Sequence, residues 1–174
     1  MNLLVGFLPF ASFMLVERAS STVAALVVAA ATAALLVIRQ RATGKQAKLL
    51  ELGGLALFGG MAVVAAATHA SWSVVGVRLV SDAGLFAIVA GSLVAGRPFT
   101  VDYARERVPA SMWSSPTFVR TNVRLTATWA AAFAALTLAD VAMLAGLPTV
   151  VGVVVSLGAL GSAGFLTLRA RTRR

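Results

Sequence analysis

Five long apolar stretches dominate the chain, over residues 21–38, 52–68, 77–95, 126–147 and 149–168. A helix that crosses a membrane needs about 20 mostly apolar residues, and each stretch is close to that length. The runs are continuous and lack the alternation of barrel strands, so each predicts a helix. A helix also satisfies its own backbone polar groups in hydrocarbon. The stretch 77–95 is the least clean, because Arg78 and Asp82 stand near its start. A sixth run, residues 2–16, is short and holds Pro9. It predicts either a tilted spanning helix or a segment that dips into the bilayer. No basic residue precedes it and Glu17 follows, a poor pattern for a cleaved leader, so it is expected to be retained. The whole pattern predicts an all-α polytopic bundle of five to six membrane helices in one domain, 1–174.

Composition narrows the function. Of 174 residues, 59% are hydrophobic and 12% charged, against about 25% charged in an ordinary soluble domain. That excludes a water-soluble enzyme and a disordered chain. The absence of Cys and the single His69 exclude thiolate catalysis, disulfides and a His-rich metal centre. No phosphate-binding Gly loop, HExxH helix or nucleophile elbow is present. No cofactor and no enzymatic activity are expected, with a lipid-modifying intramembrane enzyme as the remote alternative.

The net charge of +9 would suggest nucleic acid on a soluble protein. Here the basic residues lie between apolar runs, so no nucleic-acid partner is expected. Arg39, Arg41, Lys45 and Lys48 fill the first polar connection. Arg97, Arg105, Arg107, Arg120 and Arg124 lie in or just beyond the central one, and Arg169, Arg171, Arg173 and Arg174 form the tail. These hold 13 of the 15 Lys and Arg residues, and pairs of helices separate them, so they share one face. By the positive-inside rule that face is cytoplasmic, with the C-terminus. The N-terminus joins it if residues 2–16 span.

Residues 97–122 form the one long polar stretch, an expected cytoplasmic interfacial loop. Pro98 suits a first helical turn, and Phe99, Tyr103 and Val108 alternate with Asp102, Arg105, Glu106 and Arg107. This predicts a short amphipathic helix on the membrane surface, stopped by Pro109. Trp113 is an interfacial anchor type, and Ser115-Pro116 reads as an N-cap and first turn. The loop, from Arg97 to Asn122, is a candidate surface for anionic head groups or protein partners; a plain surface linker is the alternative.

Ionisable residues inside apolar stretches are functional candidates by default. Asp140 lies roughly 22 Å from the Arg-rich face by helical rise, and Asp82 about 21 Å. Arg78 shares a helix face with Asp82. The trio predicts either a polar path for an ion or solute, or a structural ion pair. Among weaker signals, Trp72 and Trp129 suit interfacial belts, although Trp129 also fits between helices. His69 reads as a loop residue, and Glu51 can balance Lys48. Gly53, Gly54, Gly59 and Gly60, and the pairs Ala142/Gly146, Gly152/Ser156 and Gly158/Ser162, predict close helix packing, within the chain or across a homodimer.

Several short motifs share an order and spacing: Phe7-Leu8-Pro9, the Ala-rich second stretch with its basic end, and Arg97-Pro98-Phe99. Val108-Pro109 with Trp113 follows, then Asn122 with Thr126, Trp129, Ala130 and Phe133. Together they resemble the bacterial intracellular septation protein A family, along nearly the whole chain. The resemblance implies a multi-pass inner-membrane protein of septation and cell-envelope biogenesis. It would work through division and elongation proteins, and it brings no catalytic residues. This chain is richer in Ala and Arg, poorer in aromatics, and has a more charged central loop. A small-solute or ion transporter through Arg78, Asp82 and Asp140 therefore stays as the alternative.

Overall fold

The computed structural model describes residues 3–68 and 72–172. A 3-10 turn (Leu3–Phe7) leads into α1 (Leu8–Ala19), then α2 (Thr22–Ala42), α3 (Leu49–Thr68) and α4 (Val74–Val94). The central loop holds α5 (Thr100–Ala104) and a 3-10 turn (Ala110–Met112), and α6 (Pro116–Leu144) and α7 (Thr149–Thr172) complete the chain. Among the described residues there is no strand. His69, Arg173 and Arg174 lie outside them.

The helix boundaries follow local chemistry. Ser21, Ser73 and Ser115 each stand before a helix and accept a hydrogen bond from a first-turn N–H, those of Ala24, Gly76 and Phe118. Such caps satisfy donors that have no partner inside the helix. Gly96 (φ +66°) and Gly146 (φ +102°) close α4 and α6 in the left-handed region that glycine adopts at little cost. Gly146, expected to pack against a neighbouring helix, therefore ends one instead.

Five helices, α2, α3, α4, α6 and α7, are long and apolar enough to cross a membrane. The chain is a multi-pass integral membrane protein with an all-α bundle fold. The N-terminal run is less regular than the other five. α1 has 12 residues, about 18 Å, short of a hydrocarbon core of about 30 Å. Counting the preceding 3-10 turn, the run extends about 28 Å. It lies against the bundle along its length: Phe7 stacks on Trp129 at 5.0 Å, and Phe10 meets Phe58 edge-on at 4.7 Å. α6 begins ten residues before the hydropathy pattern marks it, at the Ser115 cap, because Arg120 and Arg124 hide its first turns from that pattern.

Two clusters form the core. One gathers Leu50, Leu85, Val89, Phe99, Tyr103, Trp129, Phe133 and Leu136, and the other Phe13, Leu26, Phe58, Met61 and Val77. Large apolar side chains such as Leu15, Val63, Leu138, Leu157 and Phe165 point outward, as a lipid-facing surface requires. Close approach in lipid rests on packing rather than on expulsion of water. At Gly84 an added Cβ would lie 2.3 Å from Leu57, and at Gly53 2.6 Å from Ile88, so α3 and α4 touch nearly backbone to side chain. By contrast, Gly59, Gly60 and Gly158 have open space beside them.

Candidate functional site

Two groups of polar side chains stand out, one deep in the bundle and one at its Arg-rich end. In the first, Arg78 on α4 places Nη2 3.2 Å from Asp140 Oδ1 on α6. The same guanidinium donates to Ser156 Oγ on α7 at 3.3 Å. Asp82, one turn along from Arg78, is buried and lies near enough to feel the charges of both Asp140 and Arg78. Asp140 is wholly buried, whereas the Arg78 side chain keeps 24% of its exposure. The structure thus brings Arg78, Asp82 and Asp140 together and ties α4, α6 and α7 at one point. Ser156 was legible only as half of a small-residue pair with Gly152; its hydroxyl donates to Gly152 O at 2.9 Å while accepting from Arg78.

At the Arg-rich end the central loop folds back onto the bundle. Ser92 Oγ accepts from Phe99 N–H at 3.2 Å, which turns the chain inward after Pro98. Thr100 Oγ1 donates to Asn122 O at 3.0 Å and lies 2.9 Å from Thr126 Oγ1. These contacts pin α5 to α6. Phe99 and Tyr103 are buried in protein, at 1% and 6% exposure. The expected amphipathic helix is therefore shorter, ending at Ala104, and its apolar side faces the bundle rather than lipid. Asn122, expected at the loop's end, is buried inside α6 and donates from Nδ2 to Phe118 O.

Trp113 secures the loop's return. Its Nε1 donates to Val108 O at 2.9 Å, and the Arg105 guanidinium sits 4.9 Å from its ring centre. A cleft of about 520 Å³ opens among Arg97, Pro98, Asp102, Arg105 and Trp113. Arg107 lines a separate cavity with Asn122. Trp129 does not join an interfacial belt. It is 4% exposed and donates from Nε1 to Thr167 Oγ1 at 3.0 Å, joining α6 to α7.

Lys48 and Glu51 do not pair through their side chains. Lys48 Nζ reaches Glu106 Oε1 at 3.0 Å and lies 4.3 Å from the centre of the Tyr103 ring. Lys45 approaches the same Glu106 oxygen at 3.8 Å. Buried Glu51 instead accepts from Gln40 Nε2 and from the Lys48 backbone N–H. The partner acid is in the central loop because Glu51, in the first turn of α3, is turned toward Gln40 of α2. Gln40 and Thr100 escaped the sequence reading; Glu106 was legible only as a polar position of the amphipathic pattern and Thr126 only as a motif residue.

Electrostatics follow from this packing. Burial pushes the Tyr103 hydroxyl well above the ordinary phenol range, and the charges of Glu51, Asp102 and Glu106 add to that. Burial is the largest single influence on Glu106 and acts to raise it, but the positive charges nearby, the Lys48 ammonium among them, together hold the carboxyl below its ordinary range. Among the described residues no group of three or more His, Cys, Asp or Glu gathers as a metal site would require. No family model matches this chain, and neither does any curated protein or solved structure.

Proposed function

We propose that this is a bacterial inner-membrane protein of septation and cell-envelope biogenesis, without a catalytic step of its own. Its Arg-rich end faces the cytoplasm and docks on division or elongation proteins and on anionic head groups. One observation carries this reading: the central loop is a fixed surface rather than a linker. Lys48, Thr100 and Trp113 hold it in place, with Arg97 and Arg105 bordering an open cleft. A surface fixed before contact loses less conformational entropy when a partner binds. The exposed Gly158 and Ser162 side of α7 offers a face for a second copy.

The test replaces Arg97 and Arg105 by Gln in the full chain. The variant is expected to insert and fold, to lose co-purification of division or elongation proteins, and to fail in supporting septation. Normal septation and recruitment would overturn the reading.

A second reading is favoured by the buried trio. Arg78, Asp82 and Asp140 on two facing helices supply the polar groups that an ion or small-solute path uses. Transport predicts that Asp140→Asn abolishes flux into proteoliposomes while the protein stays folded. The docking reading predicts that the same variant still recruits its partners.

A further inference from the structure

The cleft of about 520 Å³ at the central loop carries both signs of charge, because Asp102 lines it together with Arg97 and Arg105. Among the described residues neither the Arg97 guanidinium nor the Asp102 carboxylate has a hydrogen bond or an ion pair. Asp102 and Arg105 are three residues apart on a helical turn, and so are near neighbours on one face. They do not pair; Arg105 lies instead over the Trp113 ring, 4.9 Å from its centre. The loop's other acid near them, Glu106, is engaged by Lys48. A guanidinium and a carboxylate thus border one cleft, each without the opposite charge that would neutralise it.

The backbone that carries these groups is fixed. Arg97 N–H donates to Ser92 O at 2.9 Å and Phe99 N–H to Ser92 Oγ at 3.2 Å, so one serine holds the chain on both sides of Pro98. Asp102 belongs to α5, which Thr100 pins to α6. The height of the cleft narrows the ligand. Gly96 and Arg97 follow directly on α4, whose last residue, Val94, is 90% exposed on the lipid-facing surface. The cleft therefore opens where hydrocarbon gives way to head groups, a zone about 5–7 Å deep on each side of the core. A head group with a phosphate and a primary ammonium two carbons apart complements this arrangement. Guanidinium groups donate charge-assisted hydrogen bonds to the phosphate, and the ammonium donates to the carboxylate. A purely acidic head group would leave Asp102 facing negative charge.

We infer that the cleft binds the head group of phosphatidylethanolamine, with the phosphate at Arg97 and Arg105 and the ammonium at Asp102. This deepens the docking reading and rests on its lipid contact. The basic end of the bundle attracts phosphates in general, and the carboxylate in the cleft adds selection for an amine.

The experiment uses the full chain in neutral detergent. Native mass spectrometry follows retention of phosphatidylethanolamine, phosphatidylglycerol, phosphatidylcholine and free phosphoethanolamine. One phosphatidylethanolamine per chain is expected to be held in preference to the other three; phosphatidylcholine has no N–H to donate. Arg97→Gln is expected to weaken retention of phosphatidylethanolamine and phosphatidylglycerol alike, about tenfold, the scale of one hydrogen bond to a charged group. Asp102→Asn is expected to remove the preference for phosphatidylethanolamine over phosphatidylglycerol. Arg41→Gln, at the same end of the bundle but outside the cleft, is expected to change neither.

Equal retention of the three lipids by the unaltered chain would overturn the inference, and so would an undiminished preference in Asp102→Asn. An equal loss in Arg41→Gln would reduce the effect to general surface attraction. Phosphoethanolamine bound as tightly as the lipid would make the cleft a site for a soluble molecule. Partner recruitment is read on the Arg97 and Arg105 variant and amine selection on Asp102→Asn, so either reading can fail while the other stands.

Discussion

Lys48 Nζ lies 3.0 Å from Glu106 Oε1, a contact that joins the α2–α3 connection to the central loop. Burial alone would raise the Glu106 carboxyl, yet the neighbouring ammonium contributes to holding it below the ordinary value of 4.5. A carboxyl whose folded value is depressed stabilises the fold above its unfolded value and loses that contribution as pH falls through the folded one. The hydrogen-exchange protection factors of residues 99–113, taken relative to the intrinsic rate at each pH, are therefore expected to be constant from neutral pH to about 4.5 and to fall below it. Glu106→Gln should lower these protection factors at neutral pH and remove their acid dependence. An unchanged acid transition in that variant would exclude Glu106 as its source.

Tyr103 is the sole tyrosine of the chain, so its ionisation can be followed by tyrosinate absorbance without interference. Burial, then the charges of Glu51, Asp102 and Glu106, oppose that ionisation. No absorbance step is expected near the ordinary phenol value of 10.0 while the bundle is folded. The step should appear together with unfolding. A free titration at the ordinary value would mean that the ring is not covered by Lys48 and the core.

Removing Arg78 and removing Asp140 should differ in cost. Arg78→Ala leaves two carboxyls facing each other with no cation, and breaking a buried pair in this way costs about 3–5 kcal/mol. The partial exposure of Arg78 places this variant at the low end of that range. Asp140→Asn keeps Asp82 as a carboxyl near the guanidinium and should cost about 1 kcal/mol. Thermal unfolding in detergent ranks the two, and the reverse order would show that Asp82 cannot replace Asp140 as the partner.

Three glycine-to-alanine variants form a graded series. Gly84→Ala drives a methyl to 2.3 Å from Leu57 and should cost about 1–3 kcal/mol, partly recovered by Leu57→Ala. Gly152→Ala meets Met143 at 2.4 Å, but that side chain is flexible and yields more cheaply. Gly158→Ala has open space and should be neutral or slightly stabilising in a monomer. A large loss of dimer alone in Gly158→Ala would instead place a second copy on that face.

The long elements were legible because hydrophobic run length is a one-dimensional property. Arg78, Asp82 and Asp140 were legible together because helical rise converts sequence separation into depth. What closes the central loop was not. An amphipathic pattern such as Phe99 to Tyr103 marks an apolar side without saying whether lipid or protein covers it. Trp129 carries the same ambiguity, and its partner Thr167 lies 38 residues away. Lys48 had an acid three residues along the chain and another in a distant loop, and only the turn of α3 decides between them.

The length of α6 has one more consequence. Its 29 residues make a rod of about 43 Å, against a hydrocarbon slab of about 30 Å. The surplus at Pro116 stands outside the slab like a mast, stepped at its foot by Asp140 and rigged to the loop through Asn122. A thinner bilayer tilts such a rod, and the platform at its head leans with it. The loop's attitude therefore follows local membrane thickness.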